Sequence, residues 1–304
     1  MDIFIGLVRN ILEEGFIFGI MAMGVFITYS VLDFPDLSVD GTFPLGACTT
    51  AALISIGVNP YLSCLMAFIA GSAAGMVTGF LHVKLKITNL LSGILTMTAM
   101  WSVNLFITKG SSILAYYNKP TIFTSGLAAI FPRDIYVYRI AVVGLIAVVV
   151  SKIVLDLYLK TKSGLLLRSA GDNQQFVISI SRDPGKMKMV GLAIGNGFTA
   201  LSGSIYSQQY ESADINSGTG MVVMALASVI IGKSVFGKIR IMKPTTMAVV
   251  GAILYRACLV AALQMGLNPD YLKLLMAVLF TLALVSTNFF SKRRNKPYVN
   301  TPEL

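Results

Sequence analysis

Histidine and tryptophan occur once each in these 304 residues, cysteine three times, and charged residues make up only 12% of the chain. A membrane enzyme needs convergent nucleophiles, acid/base groups or metal ligands, and one histidine with scattered cysteines does not supply them. No chemistry of its own is therefore expected. Cys48, Cys64 and Cys258 sit inside apolar stretches at unrelated spacings, which indicates neither a disulfide framework nor a metal site. No Ser-, Gly- or Pro-rich stretch is long enough to part the chain into domains. The N-terminal MDIFIGLVRNILEEGFIFGI has no basic stretch before its apolar core and no small-residue cleavage site after it, so no removable signal peptide is expected.

What is abundant is apolar sequence: 55% of residues are hydrophobic, and the mean hydropathy is +0.76. The expectation is an all-α integral membrane protein, because only helices or closed barrels satisfy their backbone hydrogen bonds in hydrocarbon. Candidate spans lie near 11–32, 42–57, 60–81, 88–108, 138–158, 188–207, 219–232, 245–264 and 271–290, a polytopic bundle of about nine apolar segments. The segments 42–57 and 219–232 are too short to cross alone. One transmembrane domain, 1–304, is expected, with 1–290 in the membrane and 291–304 a basic tail. The net charge of +10 does not point to nucleic acid, because the bases cluster beside the ends of apolar runs. Lys84 and Lys86, Lys160 to Lys188, Lys233 to Lys243 and the SKRRNK tail mark one side as cytoplasmic. That places the C-terminus inside and the N-terminus outside.

The stretch VLDFPDLSVDGTFPLGA, Val31 to Ala47, puts three aspartates and two prolines between apolar runs, without a basic neighbour. Pro35 forbids continued helix, and Gly41 and Pro44 repeat the interruption. Irregular backbone at membrane depth survives only where protein buries it or water solvates it. A broken helix lining a pathway fits this pattern, with Asp36, Ser38, Asp40, Gly41, Thr42 and Phe43 as candidates. The plainer reading is a turn whose aspartates cap the next helix. The loop is not expected to reach the cytoplasm. A second break, ESADINSGTG, precedes the other short segment and adds Asn216 and Gly218. Paired breaks point to a central translocation site.

Three further features bear on mechanism. ASVIIGKS, Ala227 to Ser234, resembles a phosphate-binding loop but has alanine for the first glycine and a stiff apolar spacer, so nucleotide binding is not expected there. In TKSGLLLRSAGDNQQFVISISRDPGKMKMV, Asp172 and Gln175 have capping-box spacing, and Phe176, Val177 and Ile180 share one face of a short helix ended by Pro184 and Gly185. That helix either lies on lipid headgroups or inserts into a motor subunit. Arg256 stands well inside an apolar run, an intramembrane charge expected to pair with Asp270 or Glu211.

Smaller features complete the reading. Gly71, Gly75 and Gly79 form a close-packing stripe, expected within one chain. Trp101 is expected in the packed core, and His82 at the inner interface. The segment from Thr108 to Asp134, with Tyr116, Tyr117 and Phe123, reads as an irregular outer connection or a docking surface for a binding protein.

These motifs resemble the permeases of ABC importers, in the branched-chain amino acid and sugar permease superfamily. The resemblance rests on VLDFPDLSVDGTFPLGA, on LRSAGDNQQFVISISRDPGKMKMVGLAIGNGFTALSGSIYSQQ and on GAILYRACLVAALQMGLNPDYLKLLMAVLF. The first and third are most similar to the subgroup paired with tryptophan- and tyrosine-type binding proteins. The resemblance implies an importer of a small polar solute, an amino acid of aromatic type. It implies a bacterial-type cell membrane, a second permease copy, a separate cytoplasmic ATPase that uses ATP and Mg, and an extracellular binding protein. The permease chain itself would bind no cofactor. Gly171, Asp172, Asn173, Gln175, Phe176, Val177 and Ile180 would then belong to the helix that couples to the ATPase, and Asp36 to Phe43 would lie beside the pathway. The competing reading is an ion-coupled secondary transporter with its substrate site at the broken helices.

Overall fold

The structure is a computed structural model. It describes residues 2–126 and 137–266, apart from 180, 182, 238, 240 and 241, and then 268, 271, 274–282 and 285. The described chain holds ten α-helices and two short strands up to Gln264, with further helix at 274–282. In order they are α1 (Asp2–Val25), α2 (Val39–Ser55), α3 (Pro60–Val83), α4 (Asn89–Ile107), β1 (Ile113–Ala115), α5 (Arg139–Lys160), α6 (Lys162–Asp172), α7 (Gln174–Ser179), α8 (Pro184–Tyr210), β2 (Ser212–Asp214), α9 (Met221–Phe236) and α10 (Pro244–Gln264).

Six helical stretches among the described residues are long and apolar enough to cross a membrane. The expected count of about nine is not reached. The segment 42–57 falls in α2, only 17 residues long, and 188–207 falls in α8, whose glycines, serines and Asn196 lower its hydropathy. Of 271–290, the described stretch 274–282 is helical, and all of the basic tail lies outside the described residues.

The innermost span is Phe4–Val31: 83% of an 18-residue apolar stretch within it is buried, against 28% for the corresponding stretches of α4 and α5. It continues α1 through a π-helical turn, Phe26–Val31. Outer helices instead turn apolar side chains outward: Leu65, Ile69 and Phe80 on α3, and Val150, Val154 and Leu157 on α5, are all at least half exposed. A belt of exposed Leu, Ile, Val and Phe of this extent is stable against lipid, not water.

Glycines set how closely the helices approach. Along α3, a β-carbon at Gly71 or Gly75 would strike the backbone of Asn196 or Leu192, and one at Gly79 would stand 2.9 Å from the Met189 Cα. The stripe therefore packs against α8 of the same chain, as expected. Gly46 of α2 meets the Ala200 carbonyl in the same way, and Gly251 of α10 meets the Ser228 carbonyl of α9. Backbones this close gain dispersion contacts that lipid tails do not offer.

At the end of the bundle where α8 stops, β1 and β2 pair antiparallel, with Ile113 opposite Asp214 and Ala115 opposite Ser212. Tyr116 follows directly, buried, its hydroxyl 2.7 Å from Ser207 Oγ. Burial pushes its phenol above the ordinary range. The expected irregular connection is thus pinned to α8 by a small sheet, although 127–136 lie outside the described residues. The opposite end carries α6 and α7.

Candidate functional site

The two breaks, nearly 180 positions apart in sequence, meet in space. The first begins where the π-helical turn ends: Leu32 N–H bonds Ile27 O, Phe34 N–H bonds Thr28 O, and Asp33 takes φ +51°. Pro35 lacks a donor and excludes helix for its predecessor. The Asp36 carboxylate then accepts the Ser38 amide at 2.9 Å and so tethers the start of α2. Its other oxygen accepts Asn196 Nδ2 at 2.7 Å, while Asn196 Oδ1 accepts the hydroxyls of Thr42, at 2.7 Å, and Ser38, at 3.0 Å. All four side chains are buried. Asn196 sits at the middle of α8, so the break stands about halfway along that helix.

The second break runs from Glu211, at φ +50°, through β2 and a 3₁₀ turn, Ile215–Gly218, to Gly220 at φ +88°. No side chain of its own caps α9. Asp40, in the first turn of α2, supplies the cap, accepting Val222 N–H at 2.8 Å and Gly220 N–H at 3.1 Å. The unpaired amides of a helix start and its partial positive charge are satisfied by one carboxylate from the other broken helix. Gly218 is pressed against the Asp40 carbonyl, where a β-carbon would not fit. Of the caps in the plainer reading, only Asp36 serves the next helix, by holding the amide of its N-cap Ser38; Asp40 caps the distant α9 instead.

Beside this junction is a cavity of about 260 Å³, lined by Asp40, Gly41, Trp101, Asn104, Asn216 and Thr219 among others. Of the expected pathway residues, Asp40, Gly41 and Asn216 reach it. Ser38, Thr42 and Phe43 are buried among the helices of the single chain, and Gly218 behind the junction. Trp101 corrects an expectation: it is 52% exposed and lines the cavity instead of packing in the core. Sequence reasoning missed Asn196 and Asn104. The available signal was an amide inside an apolar run, which needs a partner in lipid.

The α6–α7 end differs from the expected capping box. Asp172 is the last residue of α6, extended Asn173 follows, and α7 begins at Gln174. The Thr161 hydroxyl caps α6 by accepting Gly164 N–H. Pro184 opens α8 instead of ending a helix, with Asp183 accepting Gly185 N–H at 2.8 Å, because proline suits a first turn whose amide has no partner. Gly171 abuts the Val31 carbonyl, so α6 touches the end of the central span. Val177 is buried, whereas Asp172, Asn173, Gln175 and Ile178 are exposed. The Phe176 side chain and Ile180 lie outside the described residues.

Among the described residues Arg256 pairs with Glu14 and not with the expected Glu211. Its guanidinium meets Glu14 on α1, whose other oxygen accepts Tyr210 Oη at 2.8 Å, and stands 5.7 Å from the Phe18 ring centroid. Glu211 instead accepts the Asn118 amide at 3.4 Å, and Asp270 lies outside the described residues. The GKS of Ala227–Ser234 is continuous helix, with Lys233 Nζ reaching Ser30 Oγ at 3.3 Å, not the loop that cradles phosphate. His82 Nδ1 contacts Ile87 O at 2.8 Å at the end of α3.

Residues 7–284 match the family described as the permease component of the branched-chain amino acid transport system. The chain is 39% identical to a tyrosine transport system permease protein of Clostridioides difficile, covering 92% of this chain and 90% of that one. It is 30% identical to an uncharacterized protein of Rickettsia prowazekii, over 90% of this chain and 95% of the other. It is 21% identical to a ribose import permease protein of Haemophilus influenzae, over 94% and 86%. No solved structure matches the chain.

Proposed function

Because the chain belongs to the family of branched-chain amino acid transport permease components and is the permease of an ABC-type importer, we propose that it forms the pathway for an aromatic amino acid such as tyrosine or tryptophan. The family is a transport family, not an enzyme family, and implies an ATPase and a substrate-binding protein as partners. The aromatic class is favoured by the similarity to the tyrosine transport permease.

One observation carries the placement of the pathway: Asp40 joins the starts of two broken helices near the middle of the bundle, beside a cavity. Polar backbone at that depth is tolerated where it borders a route for a solute. Asp36, Ser38, Thr42, Phe43 and Gly218 support the junction, while Asp40, Gly41 and Asn216 border the route. A second copy closes the open side of the cavity, giving a homodimer in a bacterial-type cell membrane. The α6–α7 end faces the cytoplasm, since Lys84, Lys86, Lys160, Lys162, Lys186 and Lys188 all gather there. The segment Gly171 to Ile180 receives the ATPase, and α2, α8 and 271–290 complete the count of about nine membrane segments. ATP and Mg are used by the ATPase, and the C-terminus lies on its side.

The test is copurification with the native partners followed by tyrosine uptake into proteoliposomes. ATP-dependent uptake that requires the loaded binding protein is the expected result. Uptake driven by an ion gradient in the absence of any ATPase would overturn the reading.

A further inference from the structure

We infer that the cavity at the junction is a solute-holding subsite within the permease, taking an α-amino acid by its ammonium group on Asp40 and Asn104 and its aromatic ring on Trp101. This rests on the aromatic amino acid reading above and deepens it, because it places recognition in this chain as well as in the binding protein.

Asn104 is the leading observation. It is fully buried, and its Nδ2 donates to Gly41 O at 3.2 Å. A carbonyl only accepts, so this bond fixes which end of the amide is nitrogen and leaves Oδ1 as an acceptor. That Oδ1 has no hydrogen-bond partner among the described residues. A buried acceptor without a donor costs about 1–3 kcal/mol and calls for a ligand or water to satisfy it. Asp40 lines the same cavity, and a carboxylate that already accepts two amides keeps further lone pairs. Two acceptors among the lining residues suit a group that only donates, as an ammonium does.

The rest of the lining suits the rest of such a solute. Trp101 presents an indole that is half exposed in a cavity also bordered by Met97 and Pro44, a surface for an aromatic ring and for a cation beside it. Asn216 and Thr219 at the junction carry side-chain donors of the kind a carboxylate takes. The volume of about 260 Å³ is just below the range of drug-sized ligands and fits one small metabolite.

Trp101 is the sole tryptophan of the chain, so the signal left after subtracting that of a Trp101→Phe complex reports on this cavity. The experiment titrates the permease–ATPase complex, without binding protein, with tyrosine, with 3-(4-hydroxyphenyl)propionate, which lacks the amine, and with ribose, under selective tryptophan excitation. The expected result is a saturable change with tyrosine, little response to the other two, and an Asn104→Leu complex that needs about tenfold more tyrosine, as loss of one hydrogen bond to a charged group predicts. The analogue series uses unaltered protein, so it stands even if that variant folds poorly. No saturable response, in a complex that imports tyrosine when binding protein is added, overturns the subsite and leaves the transport reading intact. Equal response to the des-amino analogue overturns the ammonium assignment. A response to ribose alone, with no import of tyrosine, overturns both.

Discussion

Replacing Asn196 by leucine removes one side chain that holds three others. In the native chain its amide donates to the Asp36 carboxylate at 2.7 Å and accepts from Ser38 and Thr42. Loss of a hydrogen bond to a charged group costs about 1.5–3 kcal/mol and loss of each neutral one about 1 kcal/mol. The variant is therefore expected to lose about 4 kcal/mol, most of it from the partly stripped Asp36 carboxylate. Thermal unfolding in nanodiscs reads the total. A double-mutant cycle with Asp36→Asn isolates the pair, and coupling above about 1 kcal/mol is expected. Because Asn196 joins α8 to α2, ATP-driven uptake should fall with stability. Unchanged stability in Asn196→Leu, or additivity of the two variants within about 0.5 kcal/mol, would refute the claim that this network holds the first break in place.

Three other outcomes follow from the packing. Arg256→Met should destabilise by about 3–5 kcal/mol, because it leaves buried Glu14 charged and without its cation, and adding Glu14→Gln should restore much of that loss in the same unfolding assay. Gly75→Leu should force α3 from α8 and abolish recovery of folded protein by size-exclusion chromatography, whereas Gly6→Ala, with nothing within 4 Å, should leave it unchanged. Ile178→Asp, on the exposed side of α7, should weaken ATPase copurification without lowering the unfolding midpoint. Val177→Asp, at a buried position, should lower the midpoint itself.

Much of the architecture is local and so was legible in the sequence. Apolar length marked the spans, because a helix in lipid satisfies its own backbone. Pro35 and Gly220 marked the breaks through their backbone constraints, whereas the interruption expected at Gly41 and Pro44 is absent, both lying inside continuous α2; the four-residue glycine spacing marked the face that meets α8. The α6–α7 region was legible as a short helical segment but not in register. Asp172 and Gln175 fit a capping box by spacing, yet Asp172 ends one helix and Pro184 starts another. A four-residue pattern does not say which of two adjoining turns it caps.

The sequence by itself determined that this is an all-helical membrane chain with two interrupted segments, and the motifs by which its family is recognised. Only the tertiary structure decided that the interruptions meet, that Asp40 caps α9, that Asn196 closes the Asp36 network and that Arg256 meets Glu14 and not Glu211. The reason is physical. Helix length and helix breaking depend on neighbours a few residues away, whereas a buried polar group takes whichever partner the packing of distant helices brings within about 3 Å.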